Sequence, residues 1–273
     1  MADYVHEISE EERARIERFL KLLGLGIGVF ALVIVLLVAT ADRWLLLISP
    51  ESEQRFVEPY LEWARGTLLF ESEPELQTYV ESLAASLYAP LGDAQPIRVH
   101  VVTGETINAF ATLGGNIFVF EGLIAAVDDE NSLAMVLAHE IAHVHHRDAL
   151  LSTGRALLIQ LAISTVTGGG IDPNSMDTSA DVLLNQFSRD QELAADELAL
   201  SLLEEHYGHV GGATTLFDVI LGQEDVEVVE FLSTHPDTEA RIEQITELSR
   251  ANGWRSGEIR PYPDAVRDAL AGR

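Results

Sequence analysis

From Leu133 to Val144 the chain is apolar almost without a break, and the residues that break it are His139, Glu140 and His143. Glu130-Asn131-Ser132 opens the stretch with acidic and capping residues, and neither Gly nor Pro follows before Val144. This predicts an α-helix that is apolar nearly all round. Such a helix is a buried one. Two imidazoles and a carboxylate inside it are costly unless the fold supplies something that pairs with them.

His139 and His143 are four residues apart, so they project from one helix face with Glu140 beside the first. A metal ion can hold both imidazoles, and His139-Glu140-Ile141-Ala142-His143 has the spacing of a zinc hydrolase, whose carboxylate takes a proton from an activated water. Surface histidines on an ordinary helix are the alternative, with Arg147 and Asp148 marking where the helix reaches solvent. His145 falls on another face and His146 lies two turns beyond His139, so both read as helix-end histidines rather than ligands.

A third ligand is available downstream. Ser188-Arg189-Asp190-Gln191-Glu192 lies in a second helical stretch, expected from about Thr178 to Glu205, in which Glu192 and Asp196 again share a face. Glu192 would complete a His-His-Glu set and leave a fourth position open, while Asp196 would accept the free N–H of a ligand imidazole. An exposed acidic helix face is the competing reading. The chain has no cysteine, so a zinc site must be built from nitrogen and oxygen, one ion per chain.

The formal charge of −27 on 273 residues makes nucleic acid an improbable partner. Five basic against seven acidic residues fall before Pro50, so nearly all of the excess lies beyond the N-terminal region. Leu22 to Ala41 carries no charge and, at about 20 residues, matches a bilayer-spanning helix. Arg13, Arg15, Arg18 and Lys21 precede it and only Arg43 and Arg55 follow nearby. The positive-inside rule then puts residues 1–21 in the cytoplasm and the rest outside. Ala39-Thr40-Ala41 has the small-x-small form of a signal-peptidase site, so a cleaved signal is the rival reading.

Glu7 to Lys21 reads as a short cytoplasmic helix, and residues 42–71 as a linker. Ser72 is placed to cap a helix through Leu76, Val80, Leu83 and Leu87 that ends before Pro90. Ile97–Val102, Ile107–Ala111 and Asn116–Phe120 read as short strands, and Asn116, Ile117, Phe118 and Val119 are expected either to form an edge that binds substrate backbone or to be a plain hairpin. Ala149–Thr167, apolar but for Arg155 and ending at Gly168-Gly169-Gly170, is too short and too interrupted for a second membrane span and predicts an amphipathic helix that lies on the membrane or covers the cleft, with Ile171–Asp177 as its hinge.

Four segments in this order resemble a known family: Asn108-Ala109-Phe110-Ala111 with Gly114 to Val119; His139 to His143; Ser188-Arg189 with Glu192 and Asp196; and Ser233-Thr234-His235-Pro236 with Arg241-Ile242. Over about Ser72 to Arg250 the chain is similar to the HtpX-like and CAAX-prenyl-protease superfamily of membrane-associated zinc peptidases (peptidase family M48), and within it to the BepA-like extracytoplasmic branch. Asp148 stands where relatives often carry a histidine, at a position that is not a ligand. The resemblance implies that His235 lies near the zinc, either closing its open position or stabilising an oxyanion, and it implies a role in envelope protein quality control.

The expected architecture is therefore an α-rich α+β, zincin-like (gluzincin) domain with a small sheet over residues 72–250, behind one transmembrane helix and followed by a tail at 251–273. The expected activity is zinc-dependent hydrolysis of proteins or peptides, with Glu140 and His235 catalytic. The rival is a membrane-anchored, chaperone-like protein that binds clients around a zinc site and hydrolyses little.

Overall fold

In the computed structural model, which describes residues 9–67, 72–92, 95–167, 187–222, 235 and 238–272, the chain opens with α1 (Glu10–Ala39). Ser9 caps it in a reciprocal pair with Glu12, and three glutamates occupy the first turn, where the helix dipole favours them. The charged stretch before Lys21 and the apolar run after it form one continuous helix with none of its residues buried.

Next come α2 (Ala41–Leu45) and α3 (Pro50–Thr67). Where a linker was expected, α3 buries Val57, Leu61 and Ala64 against the sheet. Their spacing marks one helix face, but it is narrow and set among glutamates, so the sequence reads as weakly patterned. Helix α4 (Pro74–Tyr88) starts at Pro74, whose missing N–H is harmless in a first turn. Ser72 does not cap it, since its hydroxyl donates instead to the Glu73 carbonyl.

Strands β1 (Arg98–Val102), β2 (Ala109–Thr112) and β3 (Asn116–Phe120) form a sheet of order β1-β3-β2. Val99 of β1 is parallel partner to Ile117, and Ala111 of β2 is its antiparallel partner. Alternation along β3 sends Ile117 and Val119 to the main core, and Phe118 and Phe120 to a second cluster with Val57, Leu61 and Phe110. Both faces of β3 are thus covered. Its central position overturns the edge expectation for Asn116, Ile117, Phe118 and Val119 and leaves the hairpin with β2: strands pair with β3 on both sides, and no peptide can add there. The sheet edges belong to β1 and β2. On β1 the Gln77 carboxamide donates to the Val99 carbonyl at 2.8 Å and accepts from the Val101 N–H at 2.9 Å, closing that edge as one residue of a parallel strand would.

Seven helices follow among the described residues: α5 (Glu121–Val127), α6 (Glu130–His146), α7 (Asp148–Thr167), α8 (Arg189–Tyr207), α9 (Thr215–Gly222), α10 (Thr238–Asn252) and α11 (Asp264–Ala271). Asp129 caps α6 by accepting from the Ser132 N–H, and every residue from Asn131 to Val144 is buried, as the apolar stretch requires. Helix α6 packs chiefly on α8, with α4 and β2 also against it.

Helix α8 starts eleven residues later than expected. Ser188 and Gln191 form a capping box at that point, and residues 178–186 of the expected helix, like the expected hinge at 171–177, lie outside the described residues. The stretch after Arg250 is no loose tail. Tyr262 and Val266 are buried in the main core, and the Arg260 backbone accepts from the Glu130 N–H and donates to Asn131 Oδ1, bracketing the start of α6.

Candidate metal centre

Where α6 and α8 pack together, His139, Glu140 and His143 meet Glu192 and Asp196, all buried. His139 Nε2 lies 3.1 Å from His143 Nε2. Glu192 brings Oε2 to 3.5 Å from the first nitrogen and Oε1 to 3.5 Å from the second. His235 Nδ1 stands 3.4 Å from His139 Nε2 and 3.0 Å from Glu192 Oε1. A tetrahedral ion with bonds of about 2.0–2.1 Å needs ligand atoms roughly 3.3 Å apart, and this cluster is built to that size.

The opposite ring nitrogens are already committed. His139 Nδ1 is 2.9 Å from Asp196 Oδ1 and His143 Nδ1 is 2.8 Å from Asp148 Oδ2, so both carry their proton at Nδ1 and aim Nε2 at the common point. Asp196 thus lies against the His139 ring on the side away from the cluster. Glu140 is fully buried, neither of its oxygens has a hydrogen-bond partner among the described residues, and Oε1 is 3.5 Å from His235 Nε2. His145 and His146 stay outside the cluster.

Other contributors were not legible as such. Asp148, expected at solvent without a role, is buried under His143, and its other oxygen accepts from Gln191 Nε2 at 2.8 Å. On a continued helix a residue five positions on would point about 140° away. The contact exists because Arg147 turns left-handed, at φ 58°, and swings Asp148 back. Arg147 is held there by the carbonyls of Ile48 and Leu46 and by buried Glu53, whose second oxygen accepts from the Gly114 N–H.

Arg241 is another. Its guanidinium bonds Asp196 through Nε at 2.8 Å and Nη2 at 2.6 Å, reaches Glu192 Oε2 through Nη1 at 2.7 Å, and lies over the Phe217 ring. One buried cation thus fixes both carboxylates of α8. It is one of sixteen arginines, and no spacing rule ties it to residues 45 positions away.

These contacts set the charge states. Burial works to raise Asp196, but the charge and hydrogen bonds of Arg241 outweigh it and hold the carboxyl down to about 2. Burial opposes ionisation of Glu192 as well, yet the three facing imidazoles keep it well below the carboxylate range. A depressed carboxyl contributes stability above its unfolded pKa and loses it as pH falls through the folded value. The Asp196–Arg241 pair should thus add on the order of 2 kcal/mol above about pH 4, fading toward about pH 2. Denaturant melts of the chelated protein across this window should show the decline, and Asp196→Asn should flatten it. For Asp148→Ala we expect a roughly 10–100-fold loss of metal affinity, read by competition with a chromophoric chelator.

Two histidines of α6, a glutamate of α8 and His235 form a group that could hold a metal ion, and with the small sheet alongside this is the arrangement of a zincin-like domain. Comparison with known proteins narrows this class. The family model described as Peptidase family M48 matches residues 71–249, and the chain belongs to that family. It is 35% identical over 157 residues to the mitochondrial metalloendopeptidase OMA1 of Schizosaccharomyces pombe, covering 55% of this chain and 46% of that protein. To the beta-barrel assembly-enhancing protease of Escherichia coli K12 it is 27% identical over 232 residues, 80% of this chain and 47% of that protein. With the metalloprotease LoiP of the same organism it shares 26% over 167 residues, 59% of this chain and 66% of LoiP. The chain spans about half the length of the first two.

Proposed function

We propose that this protein is a membrane-anchored zinc endopeptidase that cleaves proteins in the cell envelope as part of quality control. The observation that carries the reading is the convergence of His139 Nε2, His143 Nε2 and Glu192 at tetrahedral spacing beside a buried Glu140 that has no hydrogen-bond partner among the described residues. Bound there, zinc would supply a Lewis acid that polarises the scissile carbonyl and brings the pKa of a water from about 15.7 to about 7. The chain does the rest. Glu140 takes a proton from the attacking water on a carboxylate oxygen and hands it to the leaving amine. Asp196 and Asp148 hold the imidazoles of His139 and His143 in one tautomer, and Arg241 holds Glu192 Oε2, which leaves Oε1 toward His143 and His235.

An extended substrate would join the sheet at β2, the edge strand on the side of α6 among the described residues, in place of the central strand. Asn108 at the head of β2 supports this: its buried carboxamide has neither atom hydrogen-bonded among the described residues. Helix α1 is long and apolar enough to cross a bilayer, and the arginines before it favour a cytoplasmic N-terminus with the catalytic domain outside.

His235 is a gate in this reading. Its Nδ1 completes a four-ligand set, and a closed set leaves no room for substrate. Activity then needs the imidazole to move away. His235→Ala should keep the metal and raise proteolysis, self-cleavage included, by about tenfold for every 1.4 kcal/mol by which the closed arrangement is favoured. A loss of turnover instead would make His235 an oxyanion donor.

Casein digestion by the detergent-purified protein tests the whole reading. Cleavage should stop with a chelator and return with zinc, at about one zinc per chain by elemental analysis. Glu192→Ala should lose the metal. Client binding without chelator-sensitive cleavage would favour the chaperone-like alternative.

A further inference from the structure

We propose that α7 is a second membrane element, whose C-terminal half enters the bilayer beside α1 and docks the metal-binding helix at the lipid surface. The proposal rests on reading α1 as the anchor. Helix α7 packs on both α2 and α1. The close approach to α2 depends on Gly154, where an added Cβ would come within 2.6 Å of the Leu45 side chain. One residue on, Arg155 forms a two-point ion pair with Asp42, at 2.7 Å and 2.5 Å. This pair is the last charge on α7.

The twelve residues from Ala156 to Thr167 carry no charge, and apolar side chains stand out from them in several directions. Ile159 and Ile163 share one face and are 47% and 59% exposed, while Leu161, about 200° round the helix from Ile159, is 48% exposed. An amphipathic helix lying on the surface would have a broad charged side, whereas the uncharged Gln160, Ser164 and Thr167 make only a narrow stripe about 60° wide here. The hydroxyls of Ser164 and Thr165 are satisfied within the helix, both donating to the Leu161 carbonyl. At the α2 end the apolar surface continues through Leu46, Leu47 and Ile48, and Trp44 bonds Thr40 where an interfacial tryptophan belongs.

Length then decides how deep the helix goes. Twelve residues span about 18 Å, enough for one leaflet and short of the roughly 30 Å hydrocarbon core. At the other end, about 10 Å of helix separates Arg155 from Asp148, which holds His143. The metal centre therefore lies close to the headgroups, and the substrates it reaches are segments next to a membrane span.

The cysteine-free chain allows clean single-cysteine labelling of the full protein. L32C in α1, L161C and I163C in α7 and S82C in α4 would each carry an environment-sensitive fluorophore in phosphatidylcholine–phosphatidylglycerol vesicles containing doxyl lipids. We expect quenching at 161 and 163 to match that at 32. Quenching at 161 no greater than at 82 overturns the proposal, as does label–label coupling between copies at 161 without lipid quenching, which would give the face to a second chain. An unquenched 32 would instead remove the anchor reading itself. Among vesicle-embedded single-span substrates, a casein-derived site about 6 residues from the span should be cut faster than one about 30 residues away, and equal rates overturn the juxtamembrane assignment.

Discussion

Glu140→Gln should retain the metal and the fold while losing peptidase turnover by roughly 10²–10⁴-fold, the usual contribution of a positioned acid–base group. Glutamine has the same shape but cannot accept the water's proton. Stability separates this from a folding defect. Glu140 is fully buried without a hydrogen-bond partner among the described residues, so removing its charge should leave the melting temperature unchanged or higher. The check is zinc stoichiometry, thermal melting and casein cleavage on one preparation. Parental-rate cleavage by that preparation would exclude Glu140 as the base.

Arg241→Met should give the largest loss of stability. The guanidinium is 2% exposed and bridges Glu192 to Asp196, so its removal leaves two buried carboxylates facing each other. Breaking a buried pair from one side costs about 3–5 kcal/mol. Bound metal neutralises part of that charge, so the defect should be greater in chelator than in zinc, by a margin that grows with the metal's occupancy. Arg241→Lys should recover only part, because one ammonium cannot reproduce the two-point bond to Asp196 together with the third contact to Glu192. Denaturant melts of parent and variants, with and without zinc, read the difference. Equal midpoints for Arg241→Met and the parent in chelator would show that the arginine does not hold the site.

Local pattern in the sequence was enough for what lies within one element. The apolar run around His139 specified a buried helix, and the four-residue spacings put His139 with His143 and Glu192 with Asp196 on shared faces, because side-chain direction along a helix follows from its period. The three strands were legible to within a few residues by alternation, and α1 by its uncharged length.

Pairings between elements were decided only by the tertiary structure. Which strand is the edge depends on hydrogen bonds made across the sheet, and β3 proved central because β1 returns parallel to it. Asp148 reaches His143 only because the backbone leaves the helix at Arg147, and Arg241 finds Asp196 across 45 residues through packing of α10 on α8. Helix α3 and the segment around Tyr262 join the core by surfaces too narrow to stand out among charged neighbours. A residue's period reports which way it points within its own element. What it meets there is set by how whole elements bury their apolar faces together, and no short stretch of chain carries that information.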